Sequence, residues 1–350
     1  LNSASNQAES LEVVLAHRQQ SEYFSALSHE LRTPLNGLMG YANLLLDGHY
    51  GALAPAQEKA VNEIQESAKH LLGVIESLLA FSRVSQGRQV PRVSEVPVAG
   101  IVQRLSDRLR PLVFAKRLDL EVAAEDFSVF TDESMLEQIV TNLLGNAIKF
   151  TPKGGRLKMV CRRLPELGAF EVGVADTGPG IPTEARGRIF EPFVQLASPN
   201  VRAHGGTGLG LALCRWYAST LQGVIGVEDN APQGSYFFVL LPEKLRLFDG
   251  FAPVEDFRAL VRQAGGFSTR AGDQFAVLEI GNAPELPVEE WRRLVRASDI
   301  IGGGDGKVYL ALYGAEPLSA RMLGERLKNS FLYERRLNIQ VKLLRFEDFL

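Results

Sequence analysis

Four groups of residues in this chain have types and spacings that could do chemistry. The first is His29, followed by Glu30 and, one helical turn on, by Thr33, within Ser28-His29-Glu30-Leu31-Arg32-Thr33-Pro34-Leu35-Asn36-Gly37. A carboxylate that takes the proton of one imidazole nitrogen leaves the other as a nucleophile. The second is Asn142, Asn146 and Lys149, at spacings of 4 and 3. Two amide carbonyls one helical turn apart present the hard oxygens that a magnesium ion bridging phosphates requires, and the lysine adds positive charge. The third is Asp176-Thr177-Gly178-Pro179-Gly180, where an acid at the end of an apolar run can accept a hydrogen bond from a ligand amino group. The fourth is His204-Gly205-Gly206-Thr207-Gly208-Leu209-Gly210-Leu211. Its glycines let the backbone approach a phosphate closely, and its N–H groups lead into a helix expected from about Leu211. It is neither the G-x-G-x-x-G of a dinucleotide fold nor a P-loop.

The elements that must position these groups follow from hydrophobic period. Phe24, Leu27, Leu31, Leu35, Leu38, Ala42 and Leu45 recur at spacings of 3, 4, 4, 3, 4 and 3, an amphipathic helix with a narrow seam. His29 lies two positions from both Leu27 and Leu31, so it points away from that seam, beside a helix-kinking Pro34. Asp47-Gly48-His49-Tyr50-Gly51 predicts a turn, and Pro55 suits a first helical position. Val61, Ile64, Ala68, Leu71, Ile75 and Leu78 then carry a second seam, ending near Ser85-Gln86-Gly87-Arg88. One helical hairpin cannot cover both seams, whereas two hairpins in a four-helix bundle can, so residues 21–90 predict a homodimer. Leu136, Ile139, Val140, Leu143, Leu144 and Ala147 give the Asn142–Asn146 helix its apolar face, and 170–175 reads as a strand.

The bulk composition sets bounds on class. The chain has 350 residues, 45% hydrophobic and 23% charged, room for two or three globular domains. A formal charge of −3 argues against a nucleic-acid partner. Cys161 and Cys214 lack metal-ligand spacing and are expected to be buried thiols. No apolar run reaches the roughly 18 residues needed to span a bilayer. The chain therefore reads as cytoplasmic, the cytosolic portion of a longer protein whose sensor or membrane anchor lies upstream. Residues 1–20 are expected to form an incoming signalling helix.

The string around His29 resembles the H-box of sensor histidine kinases of two-component systems. Asn-x-x-x-Asn, Asp-x-Gly-x-Gly, Phe190-Glu191-Pro192-Phe193 and Gly-x-Gly-x-Gly resemble, in order, the N, G1, F and G2 boxes of GHKL ATPases. The resemblance covers about residues 20–242. It implies a dimerisation and phosphotransfer domain over 21–90 and a GHKL α/β sandwich over 97–245 that binds ATP and Mg2+ under a mobile lid. By position, Asn146 would hold the metal, with Asn142 and Lys149 supporting the phosphates. Asp176 would recognise adenine beside Gly178 and Gly180, and Phe190 and Phe193 would anchor the lid. Gly206, Gly208 and Gly210, with Thr207 and Leu209, would wrap the phosphates. His29 would take the γ-phosphoryl group with Glu30 as base, and Thr33 would orient water in the reverse phosphatase reaction. The phosphoryl group would pass to an aspartate in the receiver domain of a response regulator. No box is missing, which implies a competent enzyme. The alternatives are a GHKL ATPase of the chaperone or repair kind, and a nucleotide-sensing scaffold without phosphohistidine.

Residues 250–350 lie outside that resemblance and predict a small α/β domain, ferredoxin-like in outline, with a regulatory or docking role. Strands are expected at 275–280, 307–312 and 339–344, and helices at 288–297 and 319–331. Ile300-Ile301-Gly302-Gly303-Gly304-Asp305-Gly306-Lys307 resembles the glycine-rich hairpin of diguanylate cyclases, with Gly306 where that family needs a metal-binding glutamate. Because every nucleotide box ends before Pro242, the tail is expected to be dispensable for phosphorylation of His29.

Overall fold

A computed structural model describes residues 31, 33–85, 90–196, 207–248, 251–271, 275–283, 287–292, 294–295, 299–304, 306–313, 317–335 and 339–344. His29, Glu30, Gly206 and the expected signalling helix at 1–20 lie outside the described residues. The chain divides into two compact units, Leu1–Gln86 and Gly87–Leu350.

In the first unit, a helix over 33–46 (α1) and Pro55–Ser85 (α2) form the expected hairpin, turning through 47–50. The two seams split. Leu35, Ala68 and Ile75 are buried with Met39 and Leu72 inside the hairpin, while Leu38, Ile64 and Leu71 are each about half exposed. An apolar half-seam left open on both helices is what a second hairpin would cover.

The second unit begins with β1 (Ser94–Pro97), α3 (Val98–Ala115), β2 (Asp119–Ala124), β3 (Ser128–Thr131) and α4 (Glu133–Phe150). There follow β4 (Arg156–Leu164), β5 (Ala169–Asp176), α5 (Gly210–Thr220), β6 (Val224–Asp229) and β7 (Ser235–Pro242). β1 pairs with β3, and the main sheet has the order β2-β4-β5-β7-β6, with β2 and β4 parallel and the other pairs antiparallel. One face packs against α3, α4 and α5 through Ile101, Leu105, Leu136, Ile139, Leu143 and Cys214 against Met159, Phe170, Val172 and Val239. Both cysteines are buried there, and burial pushes each thiol up to about 12.

The other face is also covered. Tyr236 to Leu241 is an unbroken apolar run, the pattern of a strand buried on both sides. Its cover is α6 (Val254–Ala271), whose Phe267 is enclosed with Ala169, Val224, Phe238 and Leu240. Gln263 Nε2 donates to the carbonyls of Leu167 and Gly168, both at 3.0 Å, and Arg246 pairs with Asp256 at 2.7 Å.

The tail completes the unit with β8 (Phe275–Gly281), α7 (Val288–Arg292), β9 (Ile300–Gly304), β10 (Lys307–Tyr313), α8 (Pro317–Arg335) and β11 (Gln340–Leu344). The order β11-β8-β10-β9, antiparallel throughout, is the split β-α-β-β-α-β arrangement of ferredoxin-like domains. One sheet face packs Leu278, Ile280 and Leu310 against Trp291, Leu327 and Phe331. The opposite face packs Val277, Ile300, Ala311 and Leu344 against Phe257, Leu260, Val261 and Ala264 of α6. One helix thus serves as the middle layer between two sheets. The helix expected at 288–297 ends at Arg292, where Leu294 N–H turns back to the Trp291 carbonyl at 3.0 Å.

The glycine run on β9 has a packing cause. A Cβ on Gly302 would lie 2.6 Å from the Phe257 ring, and one on Gly303 would lie 3.0 Å from Phe251. Ala252 N–H also donates to the Ile301 carbonyl at 2.8 Å, so the linker runs along this edge of the sheet. Aromatic rings therefore occupy the space above Gly302 and Gly303.

Candidate nucleotide site

Helix α4 is fixed at both ends. At its start Asp132 Oδ1 accepts from Met135 N–H (3.0 Å) and Ser134 Oγ (2.7 Å), while Oδ2 accepts from Arg92 N–H at 2.7 Å. Burial pushes this carboxyl up, but the hydrogen bonds from Arg92, Ser134 and Met135 outweigh it and hold it below its ordinary value. At its end Thr151 Oγ1 donates to the Ala147 carbonyl at 2.6 Å. The Lys116 ammonium donates to the carbonyls of Ile148 (2.8 Å) and Lys149 (2.6 Å), a cation at the negative end of the helix.

Between these anchors Leu136, Ile139, Val140, Leu143, Leu144 and Ala147 are buried, and Asn142, Asn146 and Lys149 form a half-buried stripe. Asn142 Nδ2 donates to the Gly210 carbonyl at 3.4 Å, joining this stripe to the start of α5. Lys149 Nζ sits 5.0 Å from the Phe150 ring centroid, and burial lowers its pKa. Among the described residues no three His, Cys, Asp or Glu side chains cluster to hold a metal. The half-buried stripe offers carboxamide oxygens of Asn142 and Asn146, a donor set that suits a magnesium ion drawing most of its ligands from phosphates and water.

At the start of α5, Thr207 Oγ1 accepts from Leu209 N–H at 3.1 Å. Gly208 has φ +70°, and its carbonyl accepts from Phe193 N–H at 3.0 Å. A Cβ there would meet the Phe193 backbone at 2.7 Å, so glycine is required both for conformation and for space. Leu209 is buried and opens α5. Phe190 is buried edge-on to Phe237, centroids 6.5 Å apart, whereas the Phe193 side chain is exposed. The two phenylalanines therefore differ: Phe190 belongs to the core, and Phe193 holds the chain through its backbone.

Asp176 closes β5 and is only 5% exposed. Its Oδ1 accepts from Gly178 N–H at 2.7 Å and Ser235 N–H at 3.4 Å, and no described residue donates to Oδ2. Burial raises its pKa, with the Gly178 and Ser235 hydrogen bonds opposing. A Cβ on Gly178 would crowd Asp176 Oδ1 at 2.8 Å and the Phe150 carbonyl at 3.3 Å, so this loop abuts the end of α4. Gly180 has φ +78° and faces the Gly234 carbonyl. The asparagine helix, the Asp176 loop and the Gly208–Gly210 turn therefore converge from segments far apart in sequence.

Residues 19–87 match the model of the His Kinase A (phospho-acceptor) domain, and residues 131–245 match that of the histidine kinase-, DNA gyrase B-, and HSP90-like ATPases. The chain belongs to the sensor histidine kinases. It is 34% identical over 239 residues to the autoinducer 2 sensor kinase/phosphatase LuxQ of Vibrio parahaemolyticus, covering 65% of this chain and 27% of LuxQ. It is 35% identical over 259 residues to the sensor histidine kinase AruS of Pseudomonas aeruginosa, covering 72% of this chain and 25% of AruS. Among solved structures it resembles full-length ShkA in complex with AMPPNP, with TM-score 0.53 and 29% identity over 70% of this chain and 54% of that one. This histidine kinase chain spans about a quarter of the length of the curated relatives it matches. No described helix is long and apolar enough to cross a membrane.

The contacts that the motifs do not announce come from the β6–β7 turn. Asn230, Gly234 and Ser235 reach Asp176 from 54 to 59 residues away. Asn230-Ala231-Pro232-Gln233-Gly234 is legible as a turn, but nothing in its composition names the residue it touches.

Proposed function

We propose that this chain is an ATP-dependent protein-histidine kinase that phosphorylates its own His29. It then passes the phosphoryl group to an aspartate in the receiver domain of a separate response regulator. The observation that carries the reading is the joining of Asn142 to the Gly210 turn beside a loop whose buried Asp176 keeps Oδ2 open, downstream of a phospho-acceptor match that contains His29. Asn146, flanked by Asn142 and Lys149, would hold Mg2+, which when bound offsets negative charge on the phosphates. Asp176 Oδ2 accepts from the adenine amino group, with Gly178 and Gly180 shaping that wall. Gly206, Thr207, Gly208, Leu209 and Gly210 follow the phosphates with their backbone N–H groups. Glu30 takes the proton from His29, and Thr33 orients water in the reverse reaction. Catalysis is mostly positioning and charge stabilisation, as phosphoryl transfer requires.

The kinase works as a homodimer through residues 21–90, supported by the open half-seam of Leu38, Ile64 and Leu71. It acts in the cytoplasm as part of a longer protein with an upstream sensor or membrane segment. Residues 97–245 form the ATP-binding domain, and residues 250–350 act by contact rather than by chemistry of their own.

The test is incubation with γ-labelled ATP, followed by acid and alkali treatment. Label on the parent chain should be acid-labile and alkali-stable, and His29→Gln should abolish it while nucleotide still binds. Alkali-stable label persisting on the variant would remove His29 from the mechanism. Hydrolysis with no retained label would favour the plain ATPase reading.

A further inference from the structure

Asp176 can accept from an adenine only if its Oδ2 is held in one place, and the β5 strand by itself does not fix it, because the carboxylate lies at the strand's last residue. Three contacts from the β6–β7 turn complete the job. Asn230 Nδ2 donates to the Asp176 main-chain carbonyl at 2.8 Å. Ser235 N–H donates to Oδ1 at 3.4 Å. Gly234, at φ +127°, lies so close that a Cβ would collide with the Asp176 carbonyl oxygen. The turn is itself closed by Asn230 N–H donating to the Gly234 carbonyl at 3.2 Å. A second tie comes from the opposite side. Arg186 donates to the Ile181 carbonyl at 3.3 Å and to Asp229 Oδ1 at 2.5 Å, linking the segment after Gly180 to the residue before Asn230.

We infer that Asn230 is a positioning residue for purine recognition: its side-chain amide holds the Asp176 backbone so that Oδ2 faces the amino group of the base. This rests on the reading of Asp176 as the adenine acceptor. Asn230 touches neither nucleotide nor phosphate in this account, and acts through Asp176 alone. A side-chain amide is the group suited to the task. It donates to the Asp176 carbonyl while asparagine also favours the turn. Aspartate has the same shape and turn preference but offers only acceptors, which would face the carbonyl oxygen. A buried carbonyl that loses its donor must shift or go unsatisfied.

The experiment measures affinities of the full chain for ATP and for purine riboside triphosphate, which lacks the 6-amino group, by competition against a fluorescent nucleotide. The parent should prefer ATP. Asn230→Asp should weaken ATP binding by about tenfold, the scale of one lost hydrogen bond. It should leave the affinity for the desamino analogue nearly unchanged, so that the preference collapses. The KM for ATP in autophosphorylation should rise with kcat much less affected. Asn230→Ser, which restores a short donor, should recover part of the preference. A residue that merely stabilises the turn would weaken both nucleotides equally. If Asn230→Asp fails to fold, Asn230→Ala removes the donor without adding charge and carries the same expectation. A parent that prefers ATP and a folded variant that keeps the same preference would overturn the role of Asn230. A parent that binds both nucleotides equally would instead overturn the reading of Asp176, and this inference with it.

Discussion

Replacing Phe267 by alanine tests whether the tail is part of the kinase fold or an appendage to it. Phe267 is fully buried on α6, against Ala169 of β5, Val224 of β6 and Phe238 and Leu240 of β7. Removing a buried phenylalanine costs about 3–5 kcal/mol, from lost transfer energy and the cavity left behind. For a unit of this size that lowers the melting temperature by on the order of 10 °C. Deletion of 250–350 goes further, since it uncovers Val224, Phe238 and Leu240 together. At about 1.5–3 kcal/mol for each large apolar side chain, the loss reaches roughly 5–9 kcal/mol. Typical domain stability is about 5–15 kcal/mol, so the truncated chain should be aggregation-prone or partly unfolded. The assay is thermal and urea unfolding of the full chain, the Phe267→Ala variant and the truncation, each with nucleotide binding measured in parallel. A truncated chain that melts cooperatively at the parent's temperature and binds nucleotide equally well would refute the reasoning, and would restore the sequence expectation of a dispensable tail.

Asp176→Asn should hold or raise stability at neutral pH while weakening ATP binding at least tenfold. The folded pKa of Asp176 is raised by burial, so the parent loses stability as pH rises from the ordinary carboxylate value through the raised one. The stability gap between variant and parent should therefore widen from acid toward neutral pH in denaturant titrations, and a gap that narrows would contradict this sign. Gly208→Ala should add about 1–2 kcal/mol of left-handed strain and drive the chain off Phe193, lowering the melting temperature by roughly 3–6 °C and nucleotide affinity several-fold, as thermal melts and calorimetric binding would show. Lys116→Met should destabilise the second unit by about 1.5 kcal/mol, because two carbonyls at the end of α4 lose a charged donor. Chemical denaturation reads that loss directly.

Much of this protein was legible along the chain because local period and local chemistry decide it. The seams of α1 and α2, the turn at 47–50, the apolar face of α4 and the tail strands β8, β10 and β11 were readable from the sequence, whereas β9 was not among the expected strands. The glycine at 208 was likewise visible, since few other residues adopt its backbone conformation. What the tertiary structure alone decided are contacts between residues distant in sequence. Glycines 302 and 303 read as a glycine-rich hairpin in isolation, yet they lie on β9, where Phe257 and Phe251 fill the space above them. Asn230 reads as an ordinary turn residue until β6 and β7 pair and carry it to Asp176. The helix 254–271 was not among the expected elements; its two apolar faces serve two sheets, and no periodicity along the sequence says which surface each face will meet. Short-range order is encoded residue by residue, whereas the partner of a buried face is set only when the whole unit closes around it.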